Sequence, residues 1–111
     1  MGIQIKEHTE AGFAKIVIFD TWRVAMIHYA DIYDEKNIHR YERHMLTNEV
    51  FVLLEGSATL IVDGVKYPME KGKLYNVEKG TWHAIFVSKD ASVLIVENAN
   101  TSPDNAEYKE I

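Results

Sequence analysis

The chain has 111 residues, 47% of them hydrophobic and 26% charged, and a formal net charge of -5. That length suits a single domain, residues 1–111, with one core of its own, and the composition is that of a soluble globular protein rather than a disordered or fibrous one. The Lys and Arg residues are scattered, so no nucleic-acid face is expected. With no cysteine, disulfides, thiolate nucleophiles and sulfur-ligated metal sites are excluded.

No apolar run is long enough to cross a bilayer. Lys6 occupies the place where a myristoylation signal needs Ser or Thr. A cytoplasmic address is therefore expected.

In chain order the sequence is a succession of short β-type runs without an amphipathic helix of three turns. "AKIVIF" (residues 14–19) and "WRVAMIHYA" (22–30) come first, the second apolar at both parities and so expected to be covered on both faces. "DIYDEKNIH" (31–39) is charged, lacks a period and reads as a loop or short edge element. "VFVLLE" (50–55) is again apolar at both parities and calls for cover on each face from a second sheet, an N-terminal strand or a second copy of the chain. A homodimer is expected on that ground.

"ATLIV" (58–62) and "VKYPM" are joined by Asp63-Gly64, a two-residue hairpin signal because a type I′ turn needs positive φ at both central positions. Pro68 cannot donate to a ladder, which places that hairpin's return strand at an edge. "KLYNV" (73–77), "HAIFV" (83–87) and "SVLIVE" (92–97) complete a core of about residues 14–98, and the polar residues 99–111 read as a loosely held tail. Many short, evenly spaced strands point to an all-β sandwich or barrel.

The chemistry concentrates in "YERHMLTNEVFVLLEG" and in His83. Glu42 and His44 share a face if the segment is extended, and Glu49 has the parity of Phe51 and Leu53. A carboxylate facing an apolar interior costs several kcal/mol unless it is paired or bound to a metal. His83 shares parity with Ile85 and Val87. His44, Glu49 and His83 make a two-histidine, one-carboxylate set, and Glu42 would formally neutralise a divalent ion, favouring iron(II), manganese(II) or zinc.

His39 has the opposite parity and could join only through a bulge. His8 and His28 read as structural or exposed, and Trp22, Tyr75 and Trp82 as core or interface aromatics.

These residues resemble two motifs of the cupin family. His44, four residues, Glu49, six residues and Gly56 follow the first; Gly72, five residues, Glu78-Lys79-Gly80, two residues and His83 follow the second. Glu42 stands where the first motif has its leading His, Glu78 replaces a Pro and Val87 an Asn. The resemblance implies a cupin-type, jelly-roll-like β-barrel of two packed antiparallel sheets, with Glu42, His44, Glu49 and His83 at the four ligand positions inside one mouth.

The expected function is divalent-metal-dependent chemistry on a small organic molecule, of oxygenase or isomerase type, with Glu42 either a ligand or a general base beside the ion. The alternatives are a metal-free module that binds a sugar or metabolite, and a barrel kept for its interface. Fold does not choose among them.

Overall fold

The computed structural model describes residues 2–111. Within them ten strands run in chain order: β1 Gly12–Phe19, β2 Trp22–His28, β3 Arg40–His44, β4 Glu49–Glu55, β5 Ala58–Val62, β6 Val65–Pro68, β7 Tyr75–Val77, β8 His83–Val87, β9 Ser92–Asn98 and β10 Ala106–Glu110. They form two five-stranded antiparallel sheets, ordered β1-β2-β9-β4-β7 and β10-β3-β8-β5-β6. The architecture is the jelly-roll-like barrel expected of the sequence.

Alternation along each strand builds the core. Ala25 and Ile27 of β2, Phe51 and Leu53 of β4, and Val93 and Ile95 of β9 line the inner face of the first sheet, opposite Ala58 and Leu60 of β5 and Ile85 and Val87 of β8. Each fully buried aliphatic side chain contributes about 1.5–3 kcal/mol. The Asp63-Gly64 turn has positive φ at both residues (48° and 81°), and β6 is the edge strand that Pro68 requires.

The strands that are apolar at both parities lie inside the first sheet. Their outward residues, Val24, Met26, Val50, Val52 and Leu94, are half-buried, while Leu54 and Val96 are 41% and 36% exposed. One face of β2 and β4 is thus sealed and the other only partly covered.

The C-terminal segment differs from the expected loose tail. Ser102 and Asn105 close a capping box on a 3-10 turn, Pro103–Asn105, and β10 then pairs with β3 over five residues, from Ala106↔His44 to Glu110↔Arg40. The polar composition of this segment is that of an edge strand, whose outer side faces water. The aperiodic stretch before β3 folds into two 3-10 turns, Asp31–Tyr33 and Glu35–Asn37.

Candidate metal centre

Both sheets contribute side chains to one mouth of the barrel. Glu42 and His44 come from β3, His83 opens β8 opposite Glu42, and Glu49 opens β4 in the facing sheet. The loops that carry them are tied together: Gly80 N–H donates to the His44 carbonyl at 2.9 Å, and Lys79 N–H to Asn48 Oδ1 at 2.8 Å. The turn before His83 is thereby fixed against the segment between His44 and Glu49.

The four side chains expected from the sequence are brought together. Glu49 Oε1 lies 3.1 Å from His44 Nε2 and 2.9 Å from His83 Nε2, and Glu42 Oε1 lies 3.6 Å from His44 Nε2. Glu42, His44 and His83 can each offer one atom within 4.8 Å of the others. Glu49 Oε1 and His83 Nε2 are buried and sit at hydrogen-bonding distance, yet lack hydrogen-bond partners. Lone pairs crowded toward a common point and left unsatisfied fit a cation between them.

His83 Nδ1 meets the Thr81 carbonyl at 2.9 Å. A carbonyl can only accept, so Nδ1 carries a proton and Nε2 is the nitrogen turned to the mouth, as in an orienting contact to a metal-bound imidazole.

The same contacts change the proton affinities of the histidines and of Glu49. Burial lowers the affinity of His44 for a proton, but its contacts with Glu42 and Glu49 outweigh this and raise its pKa to about 10. His83 is likewise pulled down by burial and raised overall by Glu49. Burial pushes Glu49 up, but its contacts with His44, His83 and Glu97 hold it well below the usual carboxylate range.

Behind Glu49 lies a buried charged row. Arg23 of β2 pairs with Glu97 of β9, and the Val50↔Val96 pair sets Glu49 beside Glu97. Arg23, Glu97 and Glu49 are only 4%, 5% and 5% exposed. Arg23 Nε donates to Glu97 Oε2 at 2.7 Å and its Nη1 to the Thr101 carbonyl at 3.0 Å. Burial and the Glu49 carboxylate raise Glu97 to about 8 against the opposing pull of Arg23.

Residues 33–97, more than half of the chain, match a family model described as a cupin domain. The chain belongs to the cupin family. No curated protein matches this cupin, but solved structures do. A cupin-2 domain containing protein from Shewanella frigidimarina superposes with a TM-score of 0.62 at 17% identity, over 85% of this chain and 84% of that one. A variant of Streptomyces PAC13 with uridine gives 0.67 at 8% identity, over 96% and 84%; Pac13 is a nucleoside dehydratase. KdgF from a Halomonas species gives 0.61 at 12%, over 88% and 87%. At these identities the likeness is one of fold.

In this cupin a cavity of about 710 Å³ opens beside the site, lined by Arg40 and Glu42 of β3, His83 of β8, and Tyr33 and Asn37 of the 3-10 turns. The 3-10 turns form its rim, held by Tyr29 Oη donating to Asp34 Oδ2 at 2.5 Å and Asn37 Nδ2 to the Asp31 carbonyl at 2.7 Å. Burial, then the charges of Glu42 and Glu49, raise Tyr33 to about 12, so its phenol stays a proton donor facing the carboxylates. A small molecule in this cavity would meet a donor, a cation and the metal-ligand candidates at once.

His39 lies on the cavity rim with Nδ1 3.1 Å from the Asn37 carbonyl, outside the cluster of candidate ligands. His8 and His28 pack against each other, with ring centroids 5.0 Å apart. Trp82 lies beneath the Arg43 guanidinium at 4.3 Å and the Lys109 ammonium at 4.7 Å, and Trp22 packs on Phe19 outside the barrel.

Sequence reasoning missed Arg23, Glu97 and Tyr33. The parity argument that flags Glu49 applies equally to Arg23, in step with Ala25 and Ile27, and to Glu97, in step with Val93 and Ile95. Tyr33 lies in a stretch without a period and carries no such signal.

Proposed function

We propose that this cupin binds one divalent metal ion through His44, Glu49 and His83, with Glu42 as a fourth ligand, and acts on a small organic molecule in the adjoining cavity. The observation that carries the reading is the convergence of Glu49 Oε1 on two imidazole Nε2 atoms, at 3.1 and 2.9 Å, with Glu49 Oε1 and His83 Nε2 buried and lacking hydrogen-bond partners. Two neutral imidazoles and two carboxylates suit iron(II), manganese(II) or zinc. A metal bound there supplies a Lewis acid that polarises a substrate oxygen or activates water or O2, which supports an oxygenase- or isomerase-type reaction.

The chain's own residues would orient and protonate. Tyr33 offers an O–H to a substrate oxygen, and Arg40 offers a charge at the rim. Glu42, with its side chain 42% exposed and its carboxylate 3.6 Å from His44 Nε2, also supports a second reading in which it stays off the ion and takes a proton from the substrate as general base.

A homodimer through the outer face of the first sheet and a cytoplasmic address belong to the same proposal. Rows such as Val17-Val24-Val96-Val50 and Ala14-Met26-Leu94-Val52 make that face apolar across four strands. Elemental analysis of the purified protein after supplementation with iron, manganese and zinc tests the metal reading: about one equivalent is expected, and His83→Ala should abolish it. Turnover of a candidate substrate that disappears in His83→Ala would separate enzyme from binding module, because ligand-induced thermal stabilisation without turnover marks the latter.

A further inference from the structure

Arg23 and Glu97 have no place in the motifs that point to the metal centre, and neither reaches the cavity beside it. Burying a guanidinium and a carboxyl in an apolar sheet costs several kcal/mol before their attraction is counted, and well-packed hydrophobic residues often serve as well. Their position is nonetheless specific. Arg23, Glu97 and Glu49 sit side by side on β2, β9 and β4, all facing inward, with the last of the three at the metal centre.

Each contact in the row fixes the next. Arg23 is anchored by the Thr101 carbonyl at 3.0 Å and the Ala99 carbonyl at 3.4 Å, both in the segment between β9 and β10. It grips Glu97 through two atoms, Nε at 2.7 Å and Nη2 at 2.5 Å from Oε2. Both donors converge on that one oxygen, a charge-assisted contact that pins Oε2 of Glu97 against Arg23. Glu97 in turn sits beside Glu49 across the β9–β4 pairing, both side chains buried and facing inward, and Glu49 Oε1 is the atom aimed between His44 and His83.

We infer that Arg23 and Glu97 are positioning residues that hold the Glu49 carboxylate in its metal-binding orientation from behind. The inference rests on the metal reading above, since it concerns how a ligand is aimed. It also gives the segment between β9 and β10 a part in the site: the Ala99 and Thr101 carbonyls set Arg23, and through it Glu49.

Cobalt(II) is a suitable probe, because its visible spectrum reports ligand number and geometry while titration gives affinity. Glu97→Gln keeps the reach of the side chain, with a carbonyl for Arg23 and an amide N–H for Glu49, and should bind cobalt within about threefold of wild type with the same spectrum. Glu97→Asp keeps the pair with Arg23 but draws back from Glu49, and should lose about 10- to 100-fold in affinity and change the spectrum. The double variant Arg23→Met with Glu97→Leu removes both charges at similar volume and should show the same loss. Circular dichroism of each variant reports whether the fold is kept.

Wild-type affinity and spectrum in both Glu97→Asp and a folded double variant would overturn the inference and leave the metal reading standing. Equal losses in Glu97→Gln and Glu97→Asp would overturn it too, since charge rather than orientation would then matter. If wild type binds no cobalt, the metal reading fails and the inference falls with it.

Discussion

At the scale of single residues, the carboxylates at the mouth of the barrel raise the proton affinity of the two histidines beside them. His44 and His83 are raised above their ordinary value of 6.5, His44 to about 10. A base whose folded pKa is raised stabilises the fold fully below its unfolded pKa and loses that contribution as pH rises through the folded one. Glu97, raised from 4.5 to about 8, works in the same direction. The metal-free protein should therefore lose stability between about pH 6.5 and 10, as read by denaturant midpoints, whereas Glu49→Gln should flatten that slope. Across the same range metal affinity should rise with pH, since His44 must lose its proton to become a ligand.

The residue scale also marks how far the sequence was legible. That His44, Glu49 and His83 come together could be read from the regular spacing of the two motifs and, for Glu49 and His83, from a polarity that conflicts with the core parity of their strands. Arg23 and Glu97 conflict with parity in the same way, but each belongs to a run where one charge beside a turn passes for a strand end. Only the lateral pairing of β2, β9 and β4 makes them neighbours of Glu49, and that pairing joins residues 74 positions apart.

Among elements, β3 is the one on which the site most depends, and its support is uneven. It meets β8 through a single pair, Glu42↔His83, but β10 through five. Met45 N–H to the Asn105 carbonyl and Ile111 N–H to the His39 carbonyl bracket the strand at both ends. Deleting residues 106–111 should loosen Glu42 and His44 together, lowering metal affinity at least about tenfold by titration; an unchanged affinity would show that β3 holds itself. The polar C-terminal residues look dispensable in sequence because edge-strand polarity and loop polarity are alike, and their role follows from where they land.

The turns are the opposite case, since their chemistry is local. Gly56, the last residue of the first motif, has φ +69°, and a Cβ there would lie 2.7 Å from the Ala91 Cα and 2.8 Å from its nitrogen. Backbone does not yield cheaply, so Gly56→Ala should destabilise by about 2 kcal/mol or more. Gly64, at φ +81° with open space around it, should cost only about 1 kcal/mol when replaced by Ala. Thermal melts of the two variants check the order.

At the scale of the whole molecule, the two faces of the first sheet divide the labour. The inner face closes the core and aims Glu49. The outer face, four strands wide, is as apolar as the both-parity runs of β2 and β4 foretold and is only half-covered by the chain itself. Monomers rarely leave a contiguous patch of this kind open. Light scattering at micromolar concentration should give twice the 12.8 kDa chain mass for wild type and the single-chain mass for Val96→Glu, with the far-ultraviolet circular dichroism of the two unchanged.

Everything about function turns on whether the mouth of the barrel holds a metal. A crystal structure of the metal-supplemented protein with anomalous scattering recorded at the metal edge tests this most directly. One peak is expected within about 2.0–2.3 Å of His44 Nε2, His83 Nε2 and a Glu49 oxygen, and its distance to Glu42 would distinguish a fourth ligand from a base. No anomalous peak there, together with less than about 0.1 equivalent of metal in the same preparation, would contradict the account.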